Sequence, residues 1–127
     1  MFILDASAVL ASLRDEEGGR RVDEVIDGAL MSTVNLCEVI THFAKQGGGR
    51  DQIHSLVSGL PCHFVSPSEE VAFEAGLMRK STAKAGLSLG DRICLAEARR
   101  LDRVALTADR AWTRVADELG VRIELIR

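Results

Sequence analysis

The sequence predicts an α/β domain built on a mostly parallel sheet of about five strands. Short apolar runs alternate with longer amphipathic stretches along the 127 residues, the order expected when helices cover a parallel sheet. The first run, Phe2-Ile3-Leu4, is apolar throughout, as is typical of a strand that is buried on both faces. No repeat, low-complexity segment or linker interrupts this pattern, so residues 1–127 are expected to form a single domain.

Strands are predicted where short apolar runs are bounded by turn-forming or polar residues. The five predicted strands are Phe2–Asp5, Leu30–Thr33, Cys62–Val65, Val104–Thr107 and Arg122–Leu125.

Helices are predicted where apolar residues recur every three or four positions. In Asn35–Lys45 these residues form one stripe, and three glycines follow as a stop signal. Glu69–Lys84 is acidic early and basic late, which matches the helix dipole. The other predicted helices are Leu89–Leu101, Arg110–Leu119, Ser7–Arg14, Arg20–Ala29 and Arg50–Leu60.

The composition limits the class of protein. Apolar residues at 46% supply a core, and charged residues at 28% are ordinary for a folded protein. No apolar run approaches the roughly 20 residues that span a bilayer, and the N-terminus lacks signal-peptide features, so a cytoplasmic protein without a membrane partner is expected. The three cysteines, Cys37, Cys62 and Cys94, lack the spacing of a zinc site or disulfide framework and are predicted to be buried.

Four acidic residues fall at the ends of predicted strands or the starts of predicted helices. Asp5 ends the first strand, Asp109 follows the fourth, and Glu38 lies early in the helix after the second. Because ligands bind at the carboxyl ends of strands in open α/β sheets, these three are expected to face one crevice. Asp91 joins them if its helix starts at that edge, as a right-handed crossover into the fourth strand requires.

Each acid alone also fits a helix cap. Asp91 follows Ser88 by three residues and Glu38 follows Asn35 by three, the spacing of a capping box, while the other two acids occupy typical N-cap positions. Capping does not require four acids at one edge, and carboxylates about 6 Å apart repel by roughly 3 kcal/mol at an effective dielectric of about 20. A divalent cation removes that repulsion, so the grouping favours a metal site. Without metal, at least one of these carboxyl groups is expected to have a raised pKa.

Four segments carry a family resemblance. They read FILDASA from Phe2, STVNLCEV from Ser32, LSLGDRICLA from Leu87 and LTAD from Leu106. In this order and spacing they resemble the PIN-domain ribonucleases, and more narrowly the VapC toxins of toxin–antitoxin pairs. The resemblance covers essentially the whole chain.

The resemblance implies a three-layer α/β/α PIN-like domain with a site for one or two Mg²⁺ or Mn²⁺ ions. The family's catalytic and metal-binding acidic quartet corresponds by position to Asp5, Glu38, Asp91 and Asp109, with Asp5 and Asp91 the most direct ligands. Polar groups that support the quartet correspond to Ser7, Asn35 and Thr107.

The implied activity is a metal-dependent endoribonuclease that acts as a toxin. Its partners would be the RNA substrate, a small VapB-like antitoxin, DNA only through that antitoxin, and a second copy in a homodimer. Water is the expected nucleophile, since no Ser–His or Cys–His arrangement is evident. Arg92 and Arg110 are candidate RNA contacts, whereas His42, His54 and His63 are assigned structural or solvated roles.

Two other interpretations compete with a ribonuclease. An aspartyl phosphotransferase would also place an acid such as Asp5 after the first strand, but it needs a second aspartate where Ser7 stands. A catalytically weak or inactive PIN-fold module, retained for RNA binding or as a scaffold, would keep the same fold without turnover.

Overall fold

The computed structural model describes all residues, 1–127. Five strands form one sheet in the order β3-β2-β1-β4-β5, and every neighbouring pair is parallel. The predicted sheet is therefore confirmed, and it is parallel throughout rather than mostly so. The strands are β1 (Phe2–Leu4), β2 (Leu30–Ser32), β3 (His63–Val65), β4 (Val104–Thr107) and β5 (Ile123–Leu125).

Helices connect all of these strands, and the connection from β4 to β5 consists of a 3₁₀ helix and one short α-helix. None of the helices is long and apolar enough to cross a membrane. The helices are α1 (Ala6–Leu13), α2 (Gly19–Val25), α3 (Thr33–Lys45), α4 (Arg50–Ser58), α5 (Glu69–Leu77), α6 (Arg79–Thr82), α7 (Leu89–Arg100) and α8 (Ala116–Leu119), with a 3₁₀ helix at Arg110–Arg114.

Three predicted helices are divided in the structure or end more than two residues from the predicted bound, and the others agree to within two residues. The segment predicted as Glu69–Lys84 is divided at Met78, which lies between α5 and α6 with φ −65° and ψ −16°. The segment predicted as Arg110–Leu119 is divided at Val115, whose φ of −120° lies outside the helical range. The helix predicted to reach Ala29 ends at Val25, because Gly28 with φ 79° turns the chain toward β2.

Side chains of the central strands alternate between two cores. Ile3 of β1 packs with α5 and α7, whereas the next residue, Leu4, packs with α1, α2 and α3. In β4, Ala105 belongs to the same core as Ile3, and Leu106 belongs to the same core as Leu4. This alternation follows from the two-residue period of a strand, and it places helices on both faces of the sheet. The expected three-layer α/β/α arrangement is confirmed.

The strand order creates a crevice beside β1. From β1 the chain proceeds outward to β2 and β3, and it then returns to place β4 and β5 on the opposite side. In open α/β sheets such a reversal opens a crevice at the carboxyl ends of the two strands that flank it, which here are β1 and β4. Asp5 directly follows β1 and Asp109 follows β4 by two residues, so the topology brings both acids to this crevice.

Candidate active site

All four predicted acids line one cleft at this edge of the sheet. The cleft has a volume of about 340 Å³ and draws its lining from the loops after β1 and β4 and from helices α1, α3 and α7. Its lining residues are Asp5, Ala6, Ser7, Leu10, Glu38, Thr41, His42, Lys45, Asp91 and Asp109. Segments far apart in sequence therefore converge here, as the positions of the acids predicted.

Asp5 does not cap the helix that follows it. It occupies the N-cap position of α1, but its side chain makes no capping hydrogen bond and is only 4% exposed. Its Oδ2 atom instead accepts hydrogen bonds from the hydroxyl groups of Ser7 at 2.6 Å and Thr107 at 2.8 Å. The N-cap interpretation is therefore wrong for this acid.

The same two hydroxyl groups connect Asp5 to the end of β4. Ser7 Oγ accepts a hydrogen bond from the backbone N–H of Ala108 at 2.9 Å, and Thr107 Oγ1 accepts one from the N–H of Asp109 at 3.1 Å. Ser7 and Thr107 thus hold the loops after β1 and β4 together. The resemblance assigned a supporting role to both residues, and in the structure both donate hydrogen bonds to Asp5.

Glu38 is held by Asn35 rather than by a helix start. Helix α3 is capped by Ser32, whose hydroxyl accepts a hydrogen bond from the N–H of Val34, so Asn35 lies inside the helix. The capping-box interpretation is therefore wrong for Glu38. The fully buried Asn35 donates from Nδ2 to Glu38 Oε1 at 2.8 Å and to the Gly90 carbonyl oxygen at 3.1 Å, which joins α3 to the start of α7.

The other two acids combine a cap with a place in the cleft. Asp91 and Ser88 form a complete capping box, in which Asp91 Oδ2 accepts from the Ser88 N–H at 2.8 Å. Asp109 Oδ1 accepts from the Ala111 N–H at 2.9 Å and caps the 3₁₀ helix. For Asp91 and Asp109 the cap interpretation is therefore confirmed, and each residue also lines the cleft.

Each of the four carboxylates keeps one oxygen outside any protein hydrogen bond. The bonded oxygens are Asp5 Oδ2, Glu38 Oε1, Asp91 Oδ2 and Asp109 Oδ1. None of the four remaining oxygens is among the buried polar atoms that lack a partner. One oxygen therefore fixes each side chain, and the other has no protein partner and is not fully buried.

Burial raises the pKa of three of the acids. The pKa of Asp5 rises from 3.8 to about 6 because the carboxylate is desolvated, partly offset by the Ser7 and Thr107 hydroxyl groups and increased further by the charges of Asp91 and Glu38. The pKa values of Glu38 and Asp91 are also raised, again chiefly by burial. The predicted rise is confirmed, but desolvation rather than mutual repulsion is its largest cause.

Trp112 is a buried neighbour of Asp91 that sequence reasoning missed. Its indole lowers the pKa of Asp91 and so opposes the larger effect of burial. Its Nε1 atom nevertheless makes no hydrogen bond that meets both the distance and the angle requirement. Trp112 is fully buried in the 3₁₀ helix that Asp109 caps, and the spacing of the acids gives no signal for this contact.

The donor chemistry of the cleft fits a hard divalent cation. Its potential ligands are carboxylate oxygens, which Mg²⁺ and Mn²⁺ prefer over nitrogen or sulfur. No three His, Cys, Asp or Glu side chains lie close enough together to form a ready-made coordination group. Mg²⁺ does not require one, because it keeps several waters and binds proteins through one or two carboxylates. The accessible oxygens could complete its shell through those waters.

Neither predicted arginine lines the cleft. Arg92 donates from Nη1 to the Ala75 carbonyl oxygen of α5 at 3.1 Å, and its Nε atom is buried without a partner. Arg110 is exposed beside Asp109 but is not part of the lining. The helix pattern of α7 predicts its apolar stripe but not which neighbour a long side chain of the helix will reach.

Two basic residues that the sequence analysis did not place at the site line the cleft instead. They are His42, which was assigned a structural or solvated role, and Lys45. Both lie on the face of α3 that carries Glu38, at positions four and seven residues further on, so helical spacing offered a signal for them.

Cys37 also departs from expectation, because it is exposed while Cys62 and Cys94 are buried.

Comparison with known proteins identifies the family. The profile of the PIN domain family matches residues 2–118, and the chain belongs to that family. A search of curated protein sequences found no match.

Solved structures share the fold over nearly the whole chain. A chain of a DNA-bound VapBC complex from Salmonella typhimurium is 21% identical with a TM-score of 0.76, covering 99% of this chain and 98% of that one. A chain of a toxin–antitoxin complex from Klebsiella pneumoniae is 16% identical with a TM-score of 0.77, covering 100% and 98%. A Mycobacterium tuberculosis VapC described as a sarcin–ricin-loop-cleaving toxin is 14% identical with a TM-score of 0.67, covering 83% and 87%. At these identities the likeness establishes the fold.

Proposed function

We propose that this PIN-family protein is a metal-dependent endoribonuclease and the toxin of a toxin–antitoxin pair. Residues 1–127 would act as one nuclease unit that hydrolyses RNA phosphodiester bonds. Asp5, Glu38, Asp91 and Asp109 would be its catalytic residues and would hold Mg²⁺ or Mn²⁺.

The observation that carries the proposal is that the two oxygens of each carboxylate differ in their hydrogen bonding. Every acid of the quartet lines the same cleft and has one oxygen engaged by the protein and one without a protein partner. A purely capping role explains the engaged oxygens of Asp91 and Asp109, but it gives no reason to bury Asp5 or to pair Glu38 with Asn35. Burying carboxylates costs free energy, and a cation that binds them offsets this cost.

The residues divide the chemical work between them. A bound divalent ion would supply a water of lowered pKa and would neutralise charge on the phosphate. Asp5 and Asp91 would hold the ion, with Asp5 kept in place by Ser7 and Thr107. Glu38, which Asn35 holds by a hydrogen bond, and Asp109 would orient the attacking water. Positioning of this kind is a principal source of rate in phosphodiester cleavage.

The proposed partner is a small VapB-like antitoxin. The structural neighbours include VapBC and other toxin–antitoxin complexes, some of them bound to DNA. By analogy, the antitoxin would cover the cleft of this chain, and DNA would be contacted only through the antitoxin. Toxin and RNA substrate would then meet in the cytoplasm.

A homodimer is part of the same proposal. Phe73 and Leu77 are 66% and 61% exposed and lie four residues apart on α5, so they form a small apolar face. Such a face is suited to burial against a second copy. Phe73→Ser should then shift the mass of the isolated protein in solution from dimer to monomer, measured by light scattering.

The activity is tested with purified protein and a structured RNA. Cleavage should require Mg²⁺ or Mn²⁺, and Asp5→Asn or Asp91→Asn should lower its rate by at least about 10²-fold because a charged ligand is lost. Asp27→Asn removes an equal charge from an exposed turn and should leave the rate unchanged.

Full activity in EDTA would contradict the metal-dependent mechanism. RNA binding without cleavage in either metal would instead favour the alternative of an inactive PIN-fold module. Growth arrest on induced expression, relieved by the product of a neighbouring gene, would test the toxin role separately.

A further inference from the structure

We infer that Lys45 binds an RNA phosphate next to the one that is cleaved, an inference that rests on the proposed function. Lys45 is the one Lys or Arg residue in the lining of a cleft that also contains four carboxylates. A polyanionic substrate approaching those carboxylates needs a local positive charge, because the net charge of the protein is −3. Lys45 supplies that charge.

The ammonium group of Lys45 is not engaged by the protein. All seven ion pairs of the structure use arginine, and none includes Lys45 although acids line the same cleft. No side-chain hydrogen bond involves it, and the residue is exposed in the last turn of α3. A lysine in this state is available to a phosphate oxygen as a point charge.

The position of Lys45 selects a flanking phosphate rather than the reacting one. Lys45 and Glu38 lie seven residues apart on one face of α3, which is about 10 Å along the helix axis. His42 lies between them in the wall of the cleft. Its ring packs edge-on against the ring of Phe43, with 5.2 Å between the ring centroids. An RNA strand whose scissile phosphate is at the acids would therefore pass over His42 to reach Lys45.

A structural role for Lys45 makes a different prediction. A lysine near the carboxyl end of a helix interacts favourably with the helix dipole. Loss of that interaction would lower the stability of the protein but not its affinity for RNA. The arginines predicted to contact RNA do not supply an alternative inside the cleft, since Arg92 is bonded to α5 and Arg110 lies outside the lining.

The test measures binding and cleavage of a labelled 12-nucleotide RNA by the full-length protein in Mg²⁺. Binding is followed by fluorescence anisotropy in the Asp5→Asn background, and cleavage by single-turnover kinetics with Asp5 intact. Lys45→Ala should lower the RNA affinity about tenfold and raise the half-saturating concentration for cleavage about tenfold. The maximal cleavage rate should stay within about twofold of that of the parent protein. The plot of log affinity against log salt concentration has a negative slope, and its magnitude should decrease by about 0.7, the value for one phosphate contact on a single strand.

Two further variants act as controls. Lys84→Ala removes the same charge from an exposed residue outside the cleft and should leave affinity and salt slope unchanged. Lys45→Arg keeps the charge and should retain most of the affinity, whether or not the alanine variant loses stability in a thermal melt.

The outcomes separate this inference from the proposed function. Equal effects of Lys45→Ala and Lys84→Ala, or a loss confined to the maximal rate, would overturn the role of Lys45 while leaving the nuclease intact. RNA binding that depends on Lys45 without any cleavage by the parent protein would support the phosphate contact and contradict the nuclease. A protein that neither binds nor cleaves the RNA would overturn both.

Discussion

Gly90, at the start of α7, lies directly against the carboxylate of Glu38 on α3. A Cβ atom at Gly90 would be 2.5 Å from Glu38 Oε1 and 2.6 Å from Oε2, closer than any unstrained contact. The Gly90 carbonyl also accepts the hydrogen bond from Asn35, which in turn orients Glu38. The absence of a side chain at Gly90 thus determines where the Glu38 carboxylate on another helix can lie.

Gly90→Ala should therefore lower RNA cleavage by at least about tenfold while the protein stays folded. The clash is with the end of a flexible side chain, so Glu38 moves rather than the backbone, and displacements of about 1 Å can cost up to about 10²-fold in rate. Single-turnover cleavage and a thermal melt measure the two effects. The matched control is Gly76→Ala in α5, where a Cβ meets nothing within 4 Å. It should keep full activity and gain about 0.5–1 kcal/mol of stability. Equal activities of the two variants would contradict the role assigned to Gly90.

Asp5 should make the metal-free protein less stable at neutral pH. Its folded-state pKa of about 6 lies above the usual 3.8, so the folded state binds the proton more readily than the unfolded state. The free energy of unfolding should fall as pH rises from about 4 to about 6 and stay lower by about 3 kcal/mol above that range. Asp5→Asn removes this penalty and can still accept both hydroxyl hydrogen bonds.

In EDTA, Asp5→Asn should therefore melt several degrees above the parent protein at pH 7, and the difference should vanish near pH 4. Thermal unfolding across this pH range is the measurement, and Asp27→Asn, at an exposed position, should show no such dependence. A variant that is less stable than the parent at every pH would show that the buried charge is not the source of the effect.

The two functions of Asp91 should be separable. Ser88→Ala removes the hydroxyl group that accepts the Asp91 N–H and should cost about 1 kcal/mol of stability, but it leaves the Asp91 carboxylate in the cleft. Asp91→Asn keeps an acceptor for the Ser88 N–H but removes the charge. Mg²⁺ should raise the melting temperature of Ser88→Ala as much as that of the parent, and that of Asp91→Asn much less. Equal metal-induced shifts in all three proteins would indicate that Asp91 is only a cap.

Thr107 should be required through its hydroxyl group rather than its volume. Thr107→Val keeps the shape of this fully buried side chain but removes a donor to Asp5 and leaves the Asp109 N–H without its acceptor. A loss of about 1–3 kcal/mol of stability and a further rise in the pKa of Asp5 are expected. The pH profile of cleavage should then shift to higher pH, and Thr107→Ser should restore the profile of the parent. A valine variant with the parent's profile would contradict this role.

Much of the architecture follows from local patterns in the sequence. All five strands lie within the predicted segments. For the central strands β1 and β4 the signal is clearest, because a strand buried on both faces must be apolar over a short run. The convergence of Asp5 and Asp109 followed from their places after β1 and β4, since parallel strands present their carboxyl ends at one edge. These features depend on chain order and periodicity, which the sequence contains directly.

The tertiary structure alone decided what each side chain of the site touches. Spacing suggested that Asn35 caps the start of a helix for Glu38, but the helix begins earlier and Asn35 bridges to Gly90. The sequence also did not predict that Arg92 turns to the Ala75 carbonyl while Lys45 remains free in the cleft. The physical reason is that periodicity determines the face of a helix on which a residue lies, whereas its partners depend on how helices distant in sequence pack against each other.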